Sequence, residues 1–357
     1  MRKITNVLIL LVSVIISFLV GELLIRIFLN IKFQFKEELP GMRINPFPGL
    51  PYDMEECKDC IIRINSLGLR GKEINLTKPI DTIRILMLGD SATFGIKIQN
   101  DEETIPGRLE KRLNEELTIK NIRFEVINGG IPGYDIQEIY FHYKYKLKNL
   151  NSDIIIYNFF PNDFLNSKFS VKKIGNRSVL VRYVNAELPG LQMLSLLPEK
   201  INILLNEYSL LYRYTLFYLS LLISPKETEI SNLIEKFQTT NVHYFESLIN
   251  EGKNNSKIFI LSSEIYSFCA NCREPLDNNT CPIDKGCQHV FNLIKSIEKY
   301  ALKKDIPFIY LSEAVTNMDL NDVVIDNFAH YSGRANIKMA DRLYDFLKPI
   351  ILQKFSN

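Results

Sequence analysis

The chain has 357 residues, of which 46% are hydrophobic and 24% charged, and its formal net charge is +2 at pH 7. This length suits an anchor plus one elaborated domain with a substantial core better than two independent enzymes. The charge balance excludes a strongly basic nucleic-acid-binding face, because 43 basic residues are scattered among 41 acidic ones.

The N-terminus begins with an apolar segment. Residues 7–20 carry no charge, and the apolar pattern continues to Leu29. Together they give about 23 residues, enough for a tilted span of a bilayer core about 30 Å thick. Arg2 and Lys3 precede the segment, which favours an N-terminus inside and the bulk of the chain outside. Because no small-residue cleavage site follows, residues 1–30 predict an uncleaved transmembrane helix, with an extracytoplasmic remainder.

Residues 31–80 form the predicted stalk between this anchor and the main domain. They contain prolines at positions 40, 46, 48 and 51, and then the polar stretch Arg63–Gly71. Such a composition predicts a connection that ends in a short hairpin packed on the domain.

Strand-like and helix-like patterns alternate over residues 81–357. Apolar runs predict β-strands at 84–88, 124–128, 153–160, 257–262 and 306–311. Helical periodicity predicts helices at 103–117, 135–149, 288–303 and 333–351. The alternation indicates an α/β fold with a parallel sheet that is covered on both faces, but it does not give the order of the strands.

Residues 164–245 interrupt this alternation. Within them, residues 208–223 are apolar almost all round, although the stretch is short for a membrane span and contains Arg213. Two interpretations stay open: a buried or capping helix of an insertion, and a lid or membrane-facing helix that brings the site near lipid-linked substrates.

The six cysteines agree with an extracytoplasmic location. Disulfides that close a surface loop at 269–287 fit an oxidising compartment. A four-cysteine zinc site is the alternative, because Cys-x-x-Cys spacing suits a metal. The first pair could also form a small ring of its own. The positions are Cys57, Cys60, Cys269, Cys272, Cys281 and Cys287.

Polar residues that can carry chemistry stand beside the predicted strand ends. Ser91 follows the first strand in Gly-Asp-Ser, and Gly133 closes a glycine-rich turn after the second. Asn162 follows the third strand in Pro-Asn-Asp, and His330 precedes the last helix. Open α/β sheets bind ligands at the carboxyl ends of their strands, so these residues predict one shared site.

This order of blocks closely resembles the SGNH (GDSL-type) serine hydrolases, over roughly residues 65 to 351. The resemblance implies a flavodoxin-like, three-layer α/β/α sandwich with a five-stranded parallel sheet. It also implies that Ser91 is the nucleophile and His330 the base. The oxyanion hole would comprise the backbone N–H groups of Ser91 and Gly133 and the side-chain amide of Asn162. No cofactor is required.

One position departs from the family pattern. The family acid usually stands two or three residues before the histidine, but position 327 is Asn and the nearest upstream carboxylate is Asp326. Asp326 reaches the imidazole of His330 if the loop bulges, and it is the favoured third member of a triad. Otherwise Asn327 or a backbone carbonyl would orient the ring.

The sequence therefore predicts a serine esterase that removes an acyl group, with acetyl favoured, from a carbohydrate or envelope component. An acyltransferase that passes the acyl group to a glycan and a non-catalytic anchored scaffold are the alternatives. Asp90 and Asp163 are predicted to cap helices or to hydrogen-bond loops. No role is assigned to the histidines at positions 142, 243 and 289.

Overall fold

The structure is a computed structural model of the chain. It describes residues 2–28, 41–43, 53–55, 62–119, 121–160, 163, 168–174, 177–183, 209, 211–212, 227–263, 285–325 and 330–355. The chain divides into two compact units, residues 1–39 with 181–234 and residues 40–180 with 235–357. The predicted stalk therefore falls mostly in the same unit as the predicted catalytic domain.

The first unit contains the N-terminal helix α1 (Arg2–Phe28). A carboxylate oxygen of Glu22 accepts hydrogen bonds from the hydroxyl of Ser209, at 2.8 Å, and from the N–H of Leu211, at 2.9 Å. Among the described residues, no helix is both long enough and apolar enough to cross a membrane. The prediction of a transmembrane helix is therefore not supported by the structure.

The second unit contains a five-stranded parallel sheet. The strands of the chain are β1 (Gly41–Arg43), β2 (Asp53–Glu55), β3 (Thr82–Gly89), β4 (Arg123–Gly130), β5 (Ile154–Phe159), β6 (Lys168–Ile174), β7 (Arg177–Tyr183), β8 (Ile258–Ser263) and β9 (Phe308–Tyr310). The parallel sheet has the order β4-β3-β5-β8-β9, whereas β1 with β2 and β6 with β7 form two-stranded sheets. All five predicted strands are confirmed, and the structure adds their order.

Helices cover both faces of this sheet. They are α2 (Ser91–Phe94), α3 (Ile105–Glu116), α4 (Ile136–His142), α5 (Glu227–Asn255), α6 (Lys285–Lys303), α7 (Leu320–Val323) and α8 (Gly333–Phe355). Side chains alternate along β3: Leu86 and Leu88 pack in a core with α4, α5 and α6. Ile85 and Met87 point to the other core, with α3 and α8. This is the predicted three-layer arrangement, although the sequence pattern predicts neither α5 nor the pair β6 and β7.

A short hairpin precedes the sheet, as predicted. Ile64 and Arg70 form an antiparallel bridge. The side-chain oxygen of Asn65 accepts hydrogen bonds from the N–H groups of Leu67 and Leu69, at 3.0 and 3.1 Å, and so stabilises the turn between them.

The outer edge of the sheet at β4 is hydrogen-bonded by side chains of α3. Asn114 accepts from the N–H of Phe124 at 3.0 Å and donates to its carbonyl at 2.9 Å. Glu110 accepts from the N–H of Val126 at 2.7 Å. These main-chain groups of an edge strand are therefore satisfied without another strand.

Arg84 places a positive charge inside the domain. Its side chain is fully buried on β3, and its Nε donates to Glu125 at 2.5 Å. The two terminal nitrogens donate to the carbonyls of Leu150, at 2.6 Å, and Asn75, at 2.8 Å. A buried charge is tolerated only when it is paired and hydrogen-bonded in this way.

We expect Arg84→Met to lower the free energy of unfolding by about 3–5 kcal/mol, because it leaves the Glu125 carboxylate without its buried partner. Arg334→Met is the matched control, since Arg334 is 73% exposed and lies 3.5 Å from Asp322. That exposed pair should contribute less than about 1 kcal/mol. Urea denaturation measures both values, and equal losses would contradict a structural role for the buried pair.

Candidate active site

The segment Gly89-Asp90-Ser91 lies where β3 ends and α2 begins. Ser91 is the first residue of α2 and is half-buried. The buried carboxylate of Asp90 accepts a hydrogen bond of 2.9 Å from the N–H of Ala92 and so caps the helix, as predicted. The strand end and the cap together fix the position of Ser91.

Ser91 and His330 meet at this strand end, although 239 positions of sequence separate them. Ser91 Oγ lies 3.2 Å from His330 Nε2 and 3.5 Å from an oxygen of Asp90. The imidazole can accept the hydroxyl proton in the tautomer whose proton is on Nδ1. The two side chains thus have the separation that a serine nucleophile and its base require.

His330 belongs to a short antiparallel pairing that precedes α8. The N–H of Ile325 donates to the carbonyl of His330 at 2.8 Å, and residues 324 and 331 form a bridge. The segment between them contains Asp326 and Asn327, which lie outside the described residues. The identity of the group that orients the imidazole therefore stays a prediction.

The turn that carries Gly133 begins beside the nucleophile turn. Gly133 has a φ of +81°, a conformation that glycine adopts without strain. Two positions before it, the N–H of Ile131 donates to the carbonyl of Gly89 at 3.2 Å. Asn162, the predicted side-chain donor of the oxyanion hole, lies outside the described residues.

A series of buried polar side chains lies behind α2. Asn158 of β5 donates to the hydroxyl of Thr93 at 3.1 Å and accepts from the hydroxyl of Ser262 at 2.9 Å. These bonds connect the nucleophile helix to β5 and β8. The sequence motifs predict no role for these residues. Asn158 could have been noticed in the sequence, because it is a polar residue inside an otherwise apolar strand.

Asp163 is a fully buried carboxyl group after the end of β5. One oxygen accepts hydrogen bonds from the Tyr157 hydroxyl, at 2.7 Å, and from the N–H of Phe160, at 3.1 Å. The other oxygen has no hydrogen-bond partner among the described residues. The prediction that Asp163 hydrogen-bonds a loop is confirmed.

The burial of Asp163 also affects its pKa. Burial raises the pKa of Asp163 well above its usual value, and the negative charges of Asp90 and Asp135 raise it further. Asp90 and Asp135 accept hydrogen bonds from N–H groups in the first turns of α2 and α4. Burial likewise raises the pKa of Tyr157 well above its usual value, as does the charge of Asp163.

Two of the other histidines, His142 and His243, make packing contacts. The ring of His142 lies edge-on to Tyr134, with the ring centroids 5.6 Å apart, and burial lowers the pKa of His142 well below its usual value. His243 lies against Tyr244 in the same manner. The side chain of His289 is outside the described residues.

Metal and disulfide predictions concern parts of the chain that the structure does not describe. Five cysteines fall there, as does the side chain of Cys287. Within the described ranges, no group of three His, Cys, Asp or Glu side chains is placed to hold a metal ion.

Comparison with known proteins gives structural similarities only. No family model and no curated protein matches the chain. Similar solved structures include a member of the lipolytic protein G-D-S-L family from Veillonella parvula, at 12% identity and a TM-score of 0.40, covering 77% of this chain and 98% of that one. An acetylxylan esterase from Geobacillus stearothermophilus has 12% identity and a TM-score of 0.42, covering 74% and 93%. A GDSL-like lipase from Bacteroides thetaiotaomicron has 14% identity and a TM-score of 0.36, covering 76% and 86%. At these sequence identities and TM-scores, the activities of those proteins are not assigned to this chain.

We expect Asp163→Asn to become more stable relative to the wild type as the pH rises. The pKa of Asp163 in the folded state is raised above its unfolded value of about 3.9. The contribution of this group to the free energy of unfolding is therefore fully present when the pH is below the unfolded value. The contribution is lost as the pH rises through the folded-state pKa, whereas an amide does not titrate.

Urea denaturation between about pH 4 and pH 9 measures the difference in free energy of unfolding between variant and wild type. Asp81→Asn, at an exposed position, is the matched control. Parallel curves for the wild type and Asp163→Asn would show that the pKa of Asp163 is not raised in the folded state.

Proposed function

We propose that this protein is a serine esterase of the SGNH (GDSL) type, which acts through a covalent acyl-enzyme intermediate. The observation that carries the proposal is the 3.2 Å contact between Ser91 Oγ and His330 Nε2. It lies at the carboxyl end of β3, in the region of an open α/β sheet where ligands bind. A hydroxyl and an imidazole at this distance are what nucleophilic acyl transfer requires.

In the first half of the reaction, His330 Nε2 takes the proton of Ser91 Oγ while this oxygen attacks the ester carbonyl carbon. The carbonyl oxygen becomes negative and accepts hydrogen bonds from the N–H groups of Ser91 and Gly133 and the amide of Asn162. As the tetrahedral intermediate collapses, the bond to the alcohol oxygen breaks. His330 returns the proton to that oxygen, and the acyl group stays on Ser91.

In the second half, His330 takes a proton from water, which attacks the acyl carbon and forms a second tetrahedral intermediate. The bond to Ser91 Oγ then breaks, the serine recovers its proton and the carboxylic acid leaves. Asp326 orients the imidazole through the N–H at Nδ1. The segment that carries Asp326 begins next to His330, because the N–H of Ile325 donates to the carbonyl of His330 at 2.8 Å.

The substrate that we propose is an acylated carbohydrate or other envelope component, with acetyl as the acyl group. The serine and imidazole support the ester class, whereas the carbohydrate rests on the resemblance of the sequence motifs. The reaction uses no cofactor.

An extracytoplasmic location stays a prediction. It is supported by the charge-free run of residues 7–20, the basic residues before it and the even number of cysteines. Separation of membrane and soluble fractions, with protease applied to intact cells, tests it. Protection of the domain from protease in intact cells, with digestion after lysis, would contradict it.

We expect Ser91→Ala to reduce hydrolysis of a simple acetyl ester by roughly 10⁴–10⁶-fold, because the variant lacks the proposed nucleophile. A fluorophosphonate probe should label the wild type and fail to label this variant. Ser66→Ala, at an exposed position of the same unit, is the control and should leave both measurements unchanged.

Probe labelling and the fate of the acyl group together distinguish the esterase from the non-catalytic scaffold and from the acyltransferase. A wild type that neither reacts with the probe nor releases acid would support the non-catalytic scaffold and contradict the proposal. Labelling that persists in Ser91→Ala would place the nucleophile elsewhere. Transfer of the acyl group to an added glycan, without release of free acid, would identify an acyltransferase.

We expect Asp326→Asn to lower kcat by on the order of 10²–10⁴-fold, because an amide at this position no longer stabilises the imidazolium that forms on His330. Asn327→Ala is the matched comparison and should cost less than tenfold by the same argument. Steady-state kinetics of both variants decides the assignment. A larger loss in Asn327→Ala would make Asn327 the orienting group.

A further inference from the structure

Arg70 is a buried arginine that binds the chain segment directly after the nucleophile helix. Its side chain is 1% exposed. One terminal nitrogen donates to the carbonyls of Phe94, at 3.3 Å, and Gly95, at 2.6 Å, and the other donates to the carbonyl of Ile98 at 2.7 Å. All three carbonyls therefore share a single guanidinium group.

The same segment holds Ser91 through its backbone. The N–H groups of Gly95 and Ile96 donate to the carbonyl of Ser91 at 3.0 and 3.2 Å. Gly95 is therefore hydrogen-bonded to the nucleophile through its N–H and to Arg70 through its carbonyl. Two hydrogen bonds separate the guanidinium from Ser91.

The backbone of this segment also needs to be held in place. Lys97 has a φ of +64°, which is uncommon for a residue with a Cβ. Such a conformation persists only when surrounding contacts fix it. Arg70 binds the carbonyls on both sides of Lys97, those of Gly95 and Ile98.

Only an arginine satisfies this set of acceptors. The planar guanidinium presents donors in a fixed fork, whereas a lysine ammonium is a flexible point charge. Arg70 Nε donates to Asp101 at 2.9 Å. Burial lowers the pKa of Arg70 from its usual value, and the hydrogen bond and charge of Asp101 act in the opposite direction.

We propose that Arg70 is a positioning residue of the reaction, which holds the Gly95 peptide and thereby keeps Ser91 Oγ within reach of His330. The inference rests on the proposed function. It assigns part of the catalytic geometry to the hairpin that precedes the sheet, a segment that the sequence predicts to be part of a stalk.

The chain offers a matched control in Arg63. This residue also binds Asp101, at 3.2 Å, but its side chain is 69% exposed. Arg63→Lys and Arg63→Gln therefore change an ion pair of the same carboxylate, Asp101, as Arg70→Lys and Arg70→Gln do. They leave in place the guanidinium of Arg70, which binds residues 94–98.

The first measurement is kcat per reactive serine, with active sites counted by fluorophosphonate titration so that unfolded protein does not contribute. We expect Arg70→Lys and Arg70→Gln to lose about 10- to 100-fold in kcat with little change in KM, because small displacements of a nucleophile have effects of this size. The Arg63 variants should stay within about twofold of the wild type. Equal kcat values in the Arg70 and Arg63 variants would overturn the proposal.

The second measurement is hydrogen exchange of the Gly95 and Ile96 amides, which needs no activity. Exchange of these two amides should be faster in Arg70→Lys than in Arg63→Lys. Both measurements can be made on Arg70→Lys alone if Arg70→Gln does not fold. If the wild type is not labelled by the probe, the proposed function fails on its own. Exchange rates in Arg70→Lys equal to those of the wild type would then still overturn the assigned role of Arg70.

Discussion

The candidate site depends on a close approach of backbone segments that only glycine permits. Gly89 and Gly130 are the paired end residues of β3 and β4. A Cβ on Gly89 would overlap the hydroxyl of Thr93, and one on Gly130 would overlap the backbone nitrogen of Phe94. The helix that begins at Ser91 can therefore lie directly against two strand ends, which gives the hydroxyl a fixed position.

Local patterns are sufficient to predict the strands of the sheet. The apolar runs that become β3 and β5 are buried on both sides, so they show in the sequence as nearly continuous hydrophobic stretches, whereas β4 at the edge of the sheet has an exposed Arg123 and a half-buried Glu125. The order of the strands is not local information, because it depends on where each crossover returns to the sheet. Ser91 and His330 could be predicted because each stands beside the end or the start of an element and because the order of the motifs resembles that of the SGNH hydrolases, and the structure adds their contact at 3.2 Å.

The contacts that support the site could not be predicted in the same way. Arg70 and Asn158 are single polar residues with no motif, and their partners are distant in sequence. Arg70 bonds to carbonyls 24 to 28 positions away, and Asn158 bonds to Thr93 across 65 positions. Their importance lies in burial, which a sequence shows only as a polar residue among apolar neighbours. The acid that assists His330 stays a prediction, because Asp326 and Asn327 fall outside the described residues.

The side chains of α3 that bind the edge of β4 also oppose the addition of a further strand at this edge. An open edge strand recruits further strands through its free N–H and C=O groups. Asn114 and Glu110 occupy such groups on Phe124 and Val126. An incoming strand would first have to displace an amide and a carboxylate, and with them the contacts of α3 on the sheet. Partial detachment of that helix, and not fraying of the strand itself, is thus the event that would open this edge to polymerisation.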